Sequence, residues 1–161
     1  KNDAQKSKAF GKLVRLITVE AKKAKGNLSS PGLATAIEKA KKENMPNDTI
    51  DRAVKKAMTD NSAEMETIIY EAYGPGGVAM LIEALTDNRN KSSQEIKHIL
   101  SQHGIALASP GSASWAFQKQ DNVWTATSTM PLEDSDIELL GKLVEDLENN
   151  DDVQEVFTNA E

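Results

Sequence analysis

Few residues in this chain could carry covalent or proton-transfer chemistry. The only histidines are His98 and His103. Five positions apart on a helix, they sit poorly on one face, and no H-E-x-x-H frame surrounds them. They are read as helix-surface or helix-end histidines. There is no cysteine, which removes disulfides, thiolate nucleophiles and thiolate metal sites. Ser112 and Ser114 lack a G-x-S-x-G setting. Glu133, Asp134 and Asp136 gather where a helix is expected to begin, and the helix dipole alone accounts for acids there. The expectation is a non-enzymatic protein with no catalytic residue, no metal and no cofactor.

Two other groupings could bind rather than react. Gly74-Pro75-Gly76-Gly77 has the glycine content of a phosphate cradle. Such a loop runs from a strand into a helix and ends in Lys-Ser or Lys-Thr. Here it joins two apolar runs, 68–73 and 78–85, rich in β-branched and aromatic residues, so a hairpin turn is the reading. Asp87-Asn88-Arg89-Asn90 places four polar residues in succession, more than one turn needs. Turn chemistry and a polar contact turn are both open for it.

The cations are the most extensive grouping. Phe10, Leu13, Val14, Ile17, Ala21 and Ala24 share one face of a helix predicted over 3–25. Lys8, Lys12, Arg15, Lys22 and Lys23 fall on the other, with Glu20 the only acid between Ala4 and Lys25. A second helix follows Ser30-Pro31 and ends in Lys39, Lys41 and Lys42, where the dipole favours cations. A third, capped by Asn47 or Asp48, buries Ile50, Ala53, Val54 and Ala57 and leaves Arg52, Lys55 and Lys56 outside. One-sided positive charge of this kind is the footprint of a phosphate-binding surface, against the alternative of a merely solvated face. The Asn44–Asn47 connection has helix-turn-helix length. The third helix has no row of Asn, Gln and Arg for reading bases, so backbone contact is expected.

Further along, 61–65 is a polar link. The hairpin leads into a helix predicted to start near Ser92, through the Ser92/Glu95 capping-box spacing, and to end at Gly104. Residues 104–111 read as a loop. Residues 112–118 read as a strand with Ala113, Trp115 and Phe117 on one side, and 123–130 as a second strand. A helix over 133–148 has Ile137, Leu140, Val144 and Leu147 as its stripe, and Val153, Val156 and Phe157 belong to a last strand. The order indicates an α+β fold: a basic three-helix domain over 1–60, then an antiparallel-sheet, ferredoxin-like α+β domain over 66–161.

Charge divides along the same line. Up to Asp60 there are 14 basic and 7 acidic residues; after it, 5 basic and 18 acidic, for an overall net charge of −6. From Asp121 onward 12 acids face one base, Lys142, a face suited to a basic partner or to solvent. No apolar run approaches the roughly 20 residues that span a bilayer, and no signal peptide is visible.

Four segments carry a resemblance: YEAYGPGGVAMLIEALTDNRN (70–90), NMPNDTIDRAVKKA (44–57), DAQKSKAFGKLVRLITVEAKKA (3–24) and LLGKLVEDLENNDDVQEVFTN (139–159). They resemble the YebC family over nearly the whole chain. The resemblance implies a three-helix domain followed by α+β domains, and a regulatory, nucleic-acid-related role without catalysis. Members are described as probable transcriptional regulators that bind DNA. Others act in translation, as mitochondrial activators or as bacterial factors assisting ribosomes. It also implies a short basic segment before Lys1 and a further α+β domain where only Lys119 to Asn122 joins two strands here. That domain is expected to be missing or deleted.

The leading expectation is a DNA-binding transcriptional regulator. Its alternatives are a ribosome-associated translational activator contacting rRNA, and a protein-interaction module using the acidic face. The expected location is cytoplasmic, or mitochondrial should a transit peptide precede Lys1. No membrane partner is expected, and the oligomeric state is open.

Overall fold

The computed structural model describes residues 3–59, 65–120 and 123–161, with side chains from Ser7 onward. The 61–64 part of the expected polar link and residues 121–122 lie outside the described residues. The chain divides into two compact units, Lys1–Glu64 and Met65–Glu161.

The first unit contains α1 (Asp3–Ala24), α2 (Pro31–Lys42) and α3 (Asn47–Thr59). Their inner faces meet in a core of Ile17, Ala21, Leu33, Ala36, Ala40, Met45, Ile50, Ala53 and Ala57, with Phe10, Leu13 and Val14 packed against it. Five alanines in that set let the helix backbones approach closely. Two helix ends close in the same way. The Gly26 N–H reaches back to the Ala21 carbonyl, and the Met45 N–H to the Ala40 carbonyl, each at 3.0 Å. Gly26 and Asn44 take the left-handed conformation these ends require (φ +79° and +63°). The third helix begins differently from expectation. The Pro46 carbonyl accepts from Thr49 and Ile50, so Pro46 precedes the first turn, and Asn47 and Asp48 lie within it.

The second unit is built on a four-stranded antiparallel sheet in the order β3-β1-β2-β6. β1 (Glu66–Tyr73) and β2 (Ala79–Thr86) pair in full register from Glu66↔Thr86 to Tyr73↔Ala79. β6 (Val153–Thr158) flanks β2 and β3 (Leu107–Ala108) flanks β1. β2 is central and covered on both faces, which is why AMLIEALT reads as a nearly continuous apolar run. On one face α4 (Arg89–Gln102) and α5 (Asp134–Glu148) contribute Ile96, Leu100, Leu140, Leu143 and Leu147 against Met80, Ile82 and Ala84. The other face carries a two-stranded hairpin, β4 (Phe117–Gln120) and β5 (Val123–Ala126). Phe117, Trp124 and Ala126 from that hairpin pack on Ile69, Leu81 and Phe157. The α+β expectation holds, with both helices on one side of an antiparallel sheet. The sheet strands and helices run ββαβαβ, where the ferredoxin-like order is βαββαβ.

Four local expectations are corrected. The Ser92 start for α4 is too late: Asn88 is the N-cap, and its side-chain oxygen accepts from the Lys91 N–H at 3.1 Å. Ser92 lies inside the helix, fully buried in line with Ile96 and Leu100. The 104–111 loop contains β3, which pairs with Glu71 and Ala72. The strand expected over 112–118 is instead a turn and a short 3₁₀ segment, Ser114–Ala116, with β4 beginning only at Phe117. Its cause is Glu71, a buried carboxylate that accepts the N–H groups of Gly111, Ala113 and Ser114 at 2.6, 2.8 and 2.8 Å. Converging three donors from four consecutive residues on one side chain bends the backbone out of strand geometry, and Trp115 is left 60% exposed. Ile137 is not core either, at 49% exposed. Leu132, just before α5, and Asp136, in its first turn, meet the Gly76 loop, and the inner stripe is Leu140, Leu143 and Leu147.

Candidate nucleic-acid interface

In the first unit the core dictates where the cations go. The Met58 sulfur would stand 3.1 Å from a Cβ at Gly26, and the Glu20 carboxylate abuts Gly32. The C-terminal ends of α1 and α3 therefore share one end of the unit with the start of α2, and the C-terminus of α2 points to the other end. Lys22, Lys23, Lys55 and Lys56 all lie in the last turns that share the first of these ends. Lys41 and Lys42, both exposed, belong to the second. Of the ten expected cations, these six therefore lie at opposite ends of the unit.

The individual side chains differ. Lys8, Lys23, Lys41, Lys42, Arg52, Lys55 and Lys56 are exposed, while Lys12, Arg15 and Lys22 are partly buried. Lys23 is 3.8 Å from Glu20, a surface pair that contributes little. Arg52 folds back on its own helix, donating to the Asp48 carbonyl at 3.4 Å and the Thr49 hydroxyl at 3.5 Å. Lys25, passed over in the sequence reading, adds an exposed cation at the α1 end, held with φ +52°. Beside this group, Leu28 and Met58 are 60% and 46% exposed. Nothing in the helical periodicity points to Leu28, because it lies in the connecting loop.

The polar turn of the second unit has local duties. The Thr86 hydroxyl accepts from the Asn88 N–H at 2.9 Å, and Asn88 caps α4. Arg89 donates to both carboxylate oxygens of Glu66 at 3.0 and 3.1 Å. That hydrogen-bonded pairing holds the Glu66 carboxyl below its usual range and raises Arg89. Asp87 and Asn90 are left exposed. The Gly74–Gly77 segment is a hairpin turn in which the Gly74 N–H donates to Val78 at 2.8 Å. Gly76 has φ +73°, and a Cβ there would meet Leu132 at 2.6 Å, so glycine is required twice over.

The histidines sit as helix-surface and helix-end residues. His98 is exposed near Gln102, and His103 ends α4 with Nε2 2.7 Å from Asp146. Among the described residues no group of three His, Cys, Asp or Glu could hold a metal ion. No described helix is long and apolar enough to cross a membrane.

Comparison with known proteins covers both units. Residues 1–60 match the TACO1/YebC protein N-terminal domain, and residues 65–123 match the TACO1/YebC second and third domain. A protein of Petrotoga mobilis named "probable transcriptional regulatory protein" is 44% identical over 167 residues, covering 99% of this chain and 64% of that protein. One of the same name from Finegoldia magna is 40% identical over 161 residues, covering 99% and 67%. The chain thus spans about two thirds of the length of these curated relatives. The crystal structure of a conserved hypothetical protein from Aquifex aeolicus superposes with a TM-score of 0.84 at 31% identity, covering 100% of this chain and 92% of that one. With both of its units matched and relatives of this identity, the chain belongs to the TACO1/YebC family.

Proposed function

We propose that this protein is a nucleic-acid-binding regulatory protein that grips the phosphate backbone with its first unit, and that it acts as a DNA-binding transcriptional regulator. The observation that supports this is the placement of Lys22, Lys23, Lys55 and Lys56 in helix turns that share one end of a three-helix unit with an apolar core. Cations held on rigid helices meet phosphates at low ordering cost. The names of the relatives, probable transcriptional regulatory proteins, support the same reading.

A second reading, a ribosome-associated translational activator, is favoured by one feature. In a helix-turn-helix the N-terminal residues of the recognition helix approach the base edges. Here the corresponding turns of α3 carry exposed Asp48 and Asp51, which phosphates repel. Contact through phosphates and shape, with no base readout, suits structured RNA.

Paired salt titrations of one labelled preparation, against duplex DNA and against ribosomes, separate the two. Duplex binding that persists at physiological salt, with a slope of roughly −0.9 in log K against log salt per neutralised phosphate, supports the transcriptional reading. Ribosome binding that persists there while duplex binding is lost assigns the protein to translation. Loss of both removes the phosphate-binding reading altogether.

A further inference from the structure

The second unit carries an exposed aromatic pair. Trp115 is 60% exposed and Tyr73 40%. The indole is nevertheless held in place: its Nε1–H donates to the Tyr73 hydroxyl at 2.9 Å, and that hydroxyl donates to the Ser112 carbonyl. Next to the pair opens a cleft of about 480 Å³ lined by Tyr73, Pro75, Ile105, Ala108, Asp136 and Leu139, among others. Leu139 is itself 50% exposed. Aromatic rings already fixed in their bound orientation lose little entropy on contact, which is the property of interface anchors.

Charge decides what such a cleft accepts. Its Asp136 carboxylate has no ion pair among the described residues. The first turns of α5 around it add Glu133, Asp134 and Glu138. The helix's only base, Lys142, lies 3.8 Å from Glu138. A phosphate backbone is repelled here, whereas lysine and arginine are attracted both to the carboxylates and to an exposed indole face.

We propose that this cleft docks a basic peptide segment of a partner protein. An aliphatic or aromatic side chain of that segment seats against Tyr73, Pro75 and Leu139, and flanking lysines or arginines are drawn to Asp136 and to the Trp115 ring. The inference is independent of the reading of the first unit. It gives a place and a ligand chemistry to acidity that composition left spread over the C-terminal forty residues.

The test is selection of a phage-displayed random dodecapeptide library on the immobilised 161-residue chain, followed by affinity measurement with the enriched peptides. Enriched sequences should combine net positive charge with a large apolar residue. Trp115→Ala and Leu139→Lys, both at exposed positions, should each weaken their binding by about tenfold or more. Trp124 fluorescence, from the packed face of the sheet, reports that each variant stays folded. Failure to enrich any peptide, enrichment without a basic bias, or binding unchanged in both variants overturns the proposal. So does a single-stranded oligothymidylate that shifts the Trp115 indole N–H resonance in competition with the peptides.

Discussion

In the first unit the described core is wholly apolar, from Ile17 and Leu33 to Ala57, and charge is confined to the outside. In the second, Glu71, Thr86, Ser92 and Asn159 are buried among the aliphatic residues of the sheet. Asn159 bridges chain segments 80 and 31 residues apart, accepting from the Ala79 N–H and donating to the Ser128 carbonyl, each at 2.8 Å. Under the proposed function, the contrast separates charge that serves binding from polarity that serves folding. The exposed cations of the first unit should be removable with little effect on stability. Glu71 of the second should not be, although the acids of α5, on the surface, should be.

The largest effect expected from this contrast is on binding. Replacing Lys22, Lys23, Lys55 and Lys56 together by glutamine should lower affinity for a phosphate backbone on the order of 10³-fold at 0.1 M salt, when all four meet phosphates. The urea midpoint should scarcely move, since three of the four are exposed, glutamine keeps much of the partly buried Lys22 stem, and surface charges contribute little to folding. A parallel fall in stability would break the comparison.

Next is the core of the first unit. Leu33 is fully buried, and Leu33→Ala should destabilise that unit by about 2–5 kcal/mol. Both tryptophans, Trp115 and Trp124, lie in the second unit. Amide exchange should therefore accelerate in α1–α3 while tryptophan fluorescence is retained.

Glu71→Gln should cost the second unit about 1–3 kcal/mol, because an amide NH₂ cannot accept from the N–H groups that converge there. Its pH dependence follows from two opposed causes. Burial pushes the Glu71 carboxyl up; the N–H bonds from Gly111, Ala113 and Ser114 outweigh it and leave the group below its ordinary 4.5. A depressed folded-state pKa adds stability that is complete above the unfolded value and is lost as pH falls through the folded one. The parent protein should therefore lose stability in acid below about pH 4.5, and the glutamine variant should lose less over the same interval. Urea unfolding followed by fluorescence at several pH values measures both slopes.

The smallest effect sharpens the same point. The buried Ser92 hydroxyl has no hydrogen-bond partner among the described residues. Ser92→Ala should change stability by less than about 0.5 kcal/mol or raise it slightly, unlike the partnered Glu71. Thermal melts of the two variants side by side provide the check.

What was legible in the chain follows the same division. The three helices of the first unit, their buried faces and their exposed cations come from a 3.6-residue period, a local signal. The hairpin at Gly74–Gly77 and the helix at 134–148 are equally local. The shape of 111–116 is not, because it is set by a carboxylate 40 residues earlier in the chain. The two-residue β3 was missed for a related reason: it exists only because β1 offers an edge. Asn88 was passed over as a cap because Ser92 and Glu95 offered the more familiar spacing. Among candidate site residues, periodicity found the exposed Lys8, Lys23, Lys55 and Lys56 but also put the partly buried Lys12, Arg15 and Lys22 on the outside. That the C-terminal turns of α1 and α3 share one end of the unit could not be read there, since it depends on how α3 returns alongside α1.

The central claim is that phosphate contact belongs to the first unit and not to the second. Titration of the isotopically labelled chain with a short nucleic-acid duplex, followed residue by residue by NMR, tests it most directly. The account predicts saturable shifts at residues 22–28 and 52–59, with the amides of α5 and the Tyr73–Trp115 region unmoved. Shifts centred on the second unit, with 22–28 and 52–59 silent, would contradict it.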